Sequence, residues 1–300
     1  MSNPRIPYEL SGQLPPLAPL DGKRLLVHLV VNVEHWPFAA PMPRKLLGGP
    51  HGRDNVPDLP NFSWVEYGMR AGLPRILRAL AARGLPASAS MNASVIDAYP
   101  AAAAAILQAG WEVVGHGLTQ RSLPGTDEAA VVAQTLDRLE AFTGTRPRGW
   151  LGPGLAETLD TPDVLAAAGI EFVYDWMIDD VPLWLSATPA PIVAMPYTIE
   201  LNDSVMYAAQ WHPAEEFERR VAATLAALEE ETAGTAKVLT LGLHPHLIGV
   251  PHRIAAFERS LDRLLASPQT TFTTGARMLS WYTEQVPWCG TVFRTPDRAG

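Results

Sequence analysis

The run "LVVNV" (29–33) ends at once in Glu34, His35 and Trp36. The same pattern recurs along the chain, where apolar runs stop at a hydrogen-bonding or titratable residue. Asn92 closes "LPASASMN", His116 follows "EVVG", and Trp150 sits in "RGWLG". Asp175 and Trp176 end "EFVYDW", Tyr197 ends "PIVAMPY", and His244 and His246 follow "LTLGL". Carboxylates, imidazoles and amides gathered in one place suit activation of water and protonation of a leaving nitrogen. Glu34 and His116 could also hold a divalent metal, but a catalytic zinc usually takes three protein ligands. No Ser or Cys lies in a G-x-S-x-G context, which disfavours serine acyl-enzyme chemistry.

Each residue also has a bland reading. Asn92 could begin the helix after "NAS", Trp150 is a natural core residue, His35 and His51 fit a loop, and His212 fits a helix entry. A buried carboxylate such as Asp175 needs a partner, which favours a role in a site. Glu34, His116 and His244 each follow a strongly apolar strand, and three such placements at one mouth point to a site.

These residues need a scaffold that brings strand ends together. "RLLVHLVVNV" (24–33) reads as a buried strand. A Pro- and Gly-rich stretch from 37 to about 62 follows, too long for a simple connector and so expected over an active site. A helix is expected near 64–83, strands near 85–93 and 111–117, and a helix over 126–144 with Gly144 at its end. Strand and helix patterns then alternate through "RGWLG", "TPDVLAAAG", "EFVYDW", "PIVAMPY", "PAEEFERRVAATLAALEEETAG", "KVLTLGLHPH" and "HRIAAFERSLDRLLAS". "TTFTTGARML" is expected to supply a last strand and turn. Seven or eight β–α repeats predict a distorted (β/α)7–8 barrel, whose C-terminal strand ends share one mouth. An open doubly wound sheet is the alternative, but no Gly-rich phosphate loop follows the first strand. Residues 1–22 are expected to form a Pro-rich arm, 23–285 a single catalytic barrel and 286–300 a tail.

The chain has 300 residues, 47% hydrophobic and 18% charged, as expected of a globular protein with a sizeable core. A formal net charge of −8 without a basic block argues against nucleic acid and anionic membranes as partners. One cysteine, Cys289, rules out an intramolecular disulfide or a thiolate metal cluster. The N-terminus lacks a signal-peptide pattern and no stretch is long enough to span a bilayer, so a cytoplasmic protein is expected.

At these strand ends the chain resembles the polysaccharide deacetylase family. The resembling motifs are Asn32-Val33-Glu34, His116 to Gln120, Pro147 to Pro153 with Trp150, Asp175-Trp176 and Leu243-His244. The resemblance implies a distorted β/α barrel that hydrolyses amides with a metal. It places Glu34, His116 and Gln120 at metal positions, with zinc the leading ion, Asp175 in support and His244 as general acid. Asn32 stands where the family keeps a base aspartate, Gln120 where it keeps a histidine and Leu151 where it keeps an arginine. The chain looks most like the allantoinase-like and cyclic-imide-hydrolase-like branch, in which metal-free mechanisms also occur.

The expected activity is therefore hydrolysis of a C–N bond in a small cyclic amide, imide or ureide. Glu34, Asp175 and His244 are the expected catalytic residues. Asn32, Trp36, Asn92, Trp150, Trp176, Tyr197, Glu200, Asn202 and His246 are the expected substrate contacts, with tryptophans stacking on a flat ring. A small molecule is the expected partner, and the arm suggests a homo-oligomer. The rival readings are metal-dependent deacetylation of an N-acetyl sugar and a degenerate member that binds without chemistry.

Overall fold

The computed structural model describes residues 3–49 and 52–290, so His51 and the tail beyond 290 lie outside the described residues. The N-terminal arm reaches β1 (Leu25–Val33), a wholly buried strand of nine residues. After the long 37–58 stretch come α1 (Leu59–Tyr67), a π-helical turn (Gly68–Gly72) and α2 (Leu73–Ala81). Helix thus begins five residues earlier than the periodicity predicts, because Asp58 caps it by accepting from the Asn61 N–H.

β2 (Ser88–Met91), α3 (Val95–Ala98), α4 (Pro100–Gln108), β3 (Glu112–Gly115) and α5 (Glu128–Thr143) follow. Gly144, in the left-handed region at φ 76°, ends α5 as the sequence predicts. β4 (Gly149–Trp150), α6 (Thr161–Ala167), β5 (Phe172–Val173), β6 (Leu183–Leu185) and β7 (Ile192–Ala194) are short. α7 (Glu216–Glu231), β8 (Lys237–Leu243), α8 (Pro251–Ala266), β9 (Thr270–Thr273) and α9 (Gly275–Gln285) complete the chain.

Strand order is β6-β7-β5-β4-β3-β2-β1-β8, with β9 also paired to β1. All pairings are parallel except β6 with β7. β6 has no sequence signal beyond "LWL", too short to show a period. β8 and β7 do not pair, so the curled sheet has a seam. The segment 196–203 crosses it: Asn202 bridges Gly242 in parallel, the Gly242 N–H donates to the Leu201 carbonyl at 3.1 Å, and the Thr240 hydroxyl donates to the Pro196 carbonyl at 2.7 Å. That seam is the distortion in the barrel.

Alternation along the strands sorts side chains into two layers. Leu25, Val27, Leu29, Val31 and Val33 of β1 face outward onto α2, α7 and α8. Leu26 and Val30 face inward and pack with Val114, Leu151, Phe172, Tyr174, Val193, Tyr197 and Val238. His28, Asn32 and Glu34 share that inward parity, as do Asn92, His116 and His244 on their own strands.

Candidate active site

The inward-facing strand ends enclose a cavity of about 160 Å³. It is lined by Asn32, Glu34, Trp36, His116, Gln120, Tyr197, Asn202, His244 and His246, together with Pro43, Arg44 and Ser204. Pro43 and Arg44 come from the long 37–58 stretch, which therefore borders the mouth as its length predicts.

Glu34 is the centre of the cluster. Its Oε2 accepts from the Trp36 indole N–H at 2.7 Å. Its Oε1 lies 3.7 Å from His116 Nε2 and 3.5 Å from His244 Nε2. Burial pushes the Glu34 carboxyl up, but the two imidazoles outweigh it and hold the group well below the usual carboxylate range.

His116 is buried, and its Nδ1 donates to the Leu151 carbonyl. That bond commits the Nδ1 proton and leaves Nε2 as the free ring nitrogen. His116 Nε2 is buried with no hydrogen-bond partner among the described residues. Behind it, Asn92 donates to the His116 carbonyl and accepts from the His35 N–H at 2.9 Å, so Asn92 holds two strand ends in register.

His244 is paired with Asp203, a residue that the strand-end pattern does not single out. The His244 Nδ1 donates to Asp203 Oδ1 at 2.6 Å. Asp203 Oδ2 accepts from the His244 and Ile248 N–H groups at 2.7 and 3.1 Å. Asp203 is fully buried. Burial lowers the His244 imidazole, but the Asp203 carboxylate and then Glu34 raise it to about 9. At neutral pH His244 is therefore an imidazolium whose Nε2 proton points toward Glu34.

Asn32 donates to the Tyr197 hydroxyl at 3.0 Å and the Leu243 carbonyl at 3.3 Å. Asn202 donates to the same hydroxyl at 3.2 Å. Gly242 makes room for this group, since a Cβ there would lie 2.8 Å from Asn202 Nδ2. Likewise Gly68 lets the π-helical turn meet β8's end, where a Cβ would lie 2.4 Å from the His246 nitrogen. That contact packs Trp64 edge-on to His246 at 4.6 Å between ring centroids, with Trp36 on the same ring at 5.7 Å. Burial lowers His246 to about 3, so it stays neutral.

Four expected site residues lie elsewhere. Trp150 has outward parity on β4 and is fully buried against the α5 side of the sheet. Asp175 has outward parity beyond β5. Its carboxylate accepts twice from the Gly152 N–H, at 2.8 and 3.0 Å, in a separate pocket with Glu157 and Trp176. Trp176 donates to Glu157 Oε2 at 2.7 Å. Burial, then repulsion from Asp175, raises Glu157 to about 9, and burial raises Asp175 to about 6. Glu200 is exposed, pairs with Arg220 at 3.3 Å and borders a wider cavity of about 910 Å³ beyond the seam.

Residues 62–173 match the model of the polysaccharide deacetylase family. A Schizosaccharomyces pombe protein named for the polysaccharide deacetylases is 23% identical over 248 residues, covering 75% of this chain and 77% of its own length. The crystal structure of PuuE allantoinase superposes with a TM-score of 0.82 at 25% identity, covering 92% of this chain and 96% of that one. A Pseudomonas aeruginosa PAO1 protein, also named for the polysaccharide deacetylases, superposes with a TM-score of 0.79 at 26% identity, covering 92% and 97%. The fold is thus the curled sheet half-barrel of that family.

Dependence on a divalent metal is usual among the deacetylases of that family. The expected donor set does not fit one here. Its third member, Gln120, offers a neutral amide whose Oε1 takes the Asn92 amide at 3.4 Å. Among the described residues, no three His, Cys, Asp or Glu side chains are grouped to hold an ion.

Proposed function

We propose that this protein hydrolyses a C–N bond in a small cyclic amide, imide or ureide. Hydrolysis of carbon–nitrogen bonds is the coarser activity that the family and the PuuE allantoinase likeness support. The observation that carries the finer reading is the cavity. At about 160 Å³ it matches one small ring, comparable to a cavity of roughly 150 Å³ that holds benzene. An N-acetyl sugar polymer would need an open groove, whereas Trp36, Pro43, Arg44 and His246 wall this mouth.

A water donating to Glu34 Oε1 and His116 Nε2 would satisfy the buried imidazole nitrogen that has no partner among the described residues. The open Nε2 of His116 faces that water beside Glu34 and takes the base role. His116 takes the proton as the water attacks the ring carbonyl. His244 gives its Nε2 proton to the leaving nitrogen, and Asp203 holds the ring in the required orientation. Glu34 lies between the two imidazoles, so the proton can return from His116 to His244 through it. Asn32 and Asn202 fix the Tyr197 hydroxyl as a polar contact for the ring. No step calls for a metal.

Screening hydantoins, cyclic imides and allantoin beside chitooligosaccharides tests the reading. Ring opening is expected, with Glu34→Gln and His116→Asn each losing at least about a hundredfold in kcat. Turnover of chitooligosaccharides with none of the rings would refute it. No helix among the described residues is long and apolar enough to cross a membrane, and a cytoplasmic, oligomeric enzyme remains part of the proposal.

A further inference from the structure

Among the described residues, Arg44 is the one cation that the 37–58 stretch brings to the cavity wall. Its guanidinium donates to the Ser204 hydroxyl, and Ser204 is itself buried and fixed by a bond from its N–H to Asn202 Oδ1 at 2.9 Å. Among the described residues no carboxylate lies in ion-pair range of Arg44, whereas Arg83, Arg146, Arg148, Arg219 and Arg220 each have at least one. Burial and the neighbouring imidazolium of His244 lower the basicity of His246, and the charge of Arg44 lowers it further, so the guanidinium acts on the cavity's wall. The chain as a whole carries a formal charge of −8 and repels anions at long range. A guanidinium at the cavity wall with no carboxylate of its own suits a planar oxyanion, which it can bind through two parallel bonds.

We propose that Arg44, seated on Ser204, is the specificity residue of the cavity and selects a ring that carries a carboxylate away from the scissile amide. This rests on the reading of the site as a small-ring amide hydrolase. Ser204 holds one guanidinium nitrogen and leaves the others for the substituent. Neutral rings of the same size fill the cavity but leave the guanidinium to water.

The test compares two probes of one ring, hydantoin-5-acetate and 5-methylhydantoin, binding to the full chain by titration calorimetry and turned over in parallel. Hydantoin-5-acetate is expected to bind roughly tenfold or more tightly than the methyl ring, and to weaken with salt. Arg44→Met is expected to remove that preference while changing the methyl ring by less than about twofold, and Arg44→Lys to restore part of it. An unchanged preference in Arg44→Met overturns the proposal. Arg44-dependent binding without turnover of either ring would refute the hydrolase reading and leave the carboxylate subsite standing. Equal turnover of both rings by the wild type and Arg44→Met would do the reverse.

Discussion

Replacing Asp203 by Asn tests whether His244 works as a standing acid. In the native protein the Asp203 carboxylate meets the His244 Nδ1 at 2.6 Å and, against burial and with help from Glu34, raises the imidazole from 6.5 to about 9. At about 1.36 kcal/mol per pH unit, that is a preference for the imidazolium of about 3 kcal/mol. The amide carries no charge, while burial of the ring and the upward pull of Glu34 both stay, so the His244 value should fall toward about 6.5. At pH 8 the protonated fraction then drops from about nine-tenths to about three-hundredths, a loss of about thirtyfold. At pH 6 most of the loss should disappear. The assay is kcat/KM against pH: the falling alkaline limb should sit near pH 9 in the native enzyme and about two and a half units lower in Asp203→Asn. An equal loss at every pH would refute the reasoning, and so would an unmoved limb. The same linkage bears on folding. A folded-state value raised above the unfolded 6.5 stabilises fully below that pH, and the stabilisation is lost as pH rises through about 9. Asn also accepts from fewer of the three donors that Asp203 satisfies, so a further cost of about 1–3 kcal/mol is expected in denaturant titration.

Three other outcomes follow from the geometry. Exhaustive dialysis against a chelator should leave the melting temperature and turnover unchanged, checked by elemental analysis and by assay before and after zinc addition. Trp150→Ala should cost about 3–5 kcal/mol in urea unfolding, because it empties a fully buried site outside the cavity, while kcat at low temperature stays near native. Glu157→Gln should stabilise progressively as pH rises from about 5 to 9. A carboxyl raised from 4.5 to about 9 loses folding free energy over that window, and the Trp176 bond survives in the amide; melting curves at several pH values check it.

Glu34, His116, His244, Asn32 and Tyr197 could be read from the chain because strand ends in such a sheet share a mouth. The misplaced residues follow from strand parity. Trp150 and Asp175 end strands of two residues, too short for alternation to show which side chain points inward. In β1 the nine-residue run gives the parity plainly, since Asn32 and Glu34 alternate with Val31 and Val33. Asp203 escaped because it ends no apolar strand and lies 41 residues before its partner. Its one signal is "ELNDS", a polar stretch whose buried carboxylate would need a partner. Arg44 sits in a stretch without period, where only the folded path shows what it faces.

The seam between β7 and β8 is closed by 196–203, and that segment carries Tyr197, Asn202 and Asp203. The segment that stitches the sheet is thus also the part that arms His244. A sheet curled but not stitched keeps Glu34, His116 and His244 on paired strands but lacks the carboxylate that holds His244 protonated above neutral pH. The segment that closes the sheet therefore also ties the alkaline activity of His244 to completion of the fold.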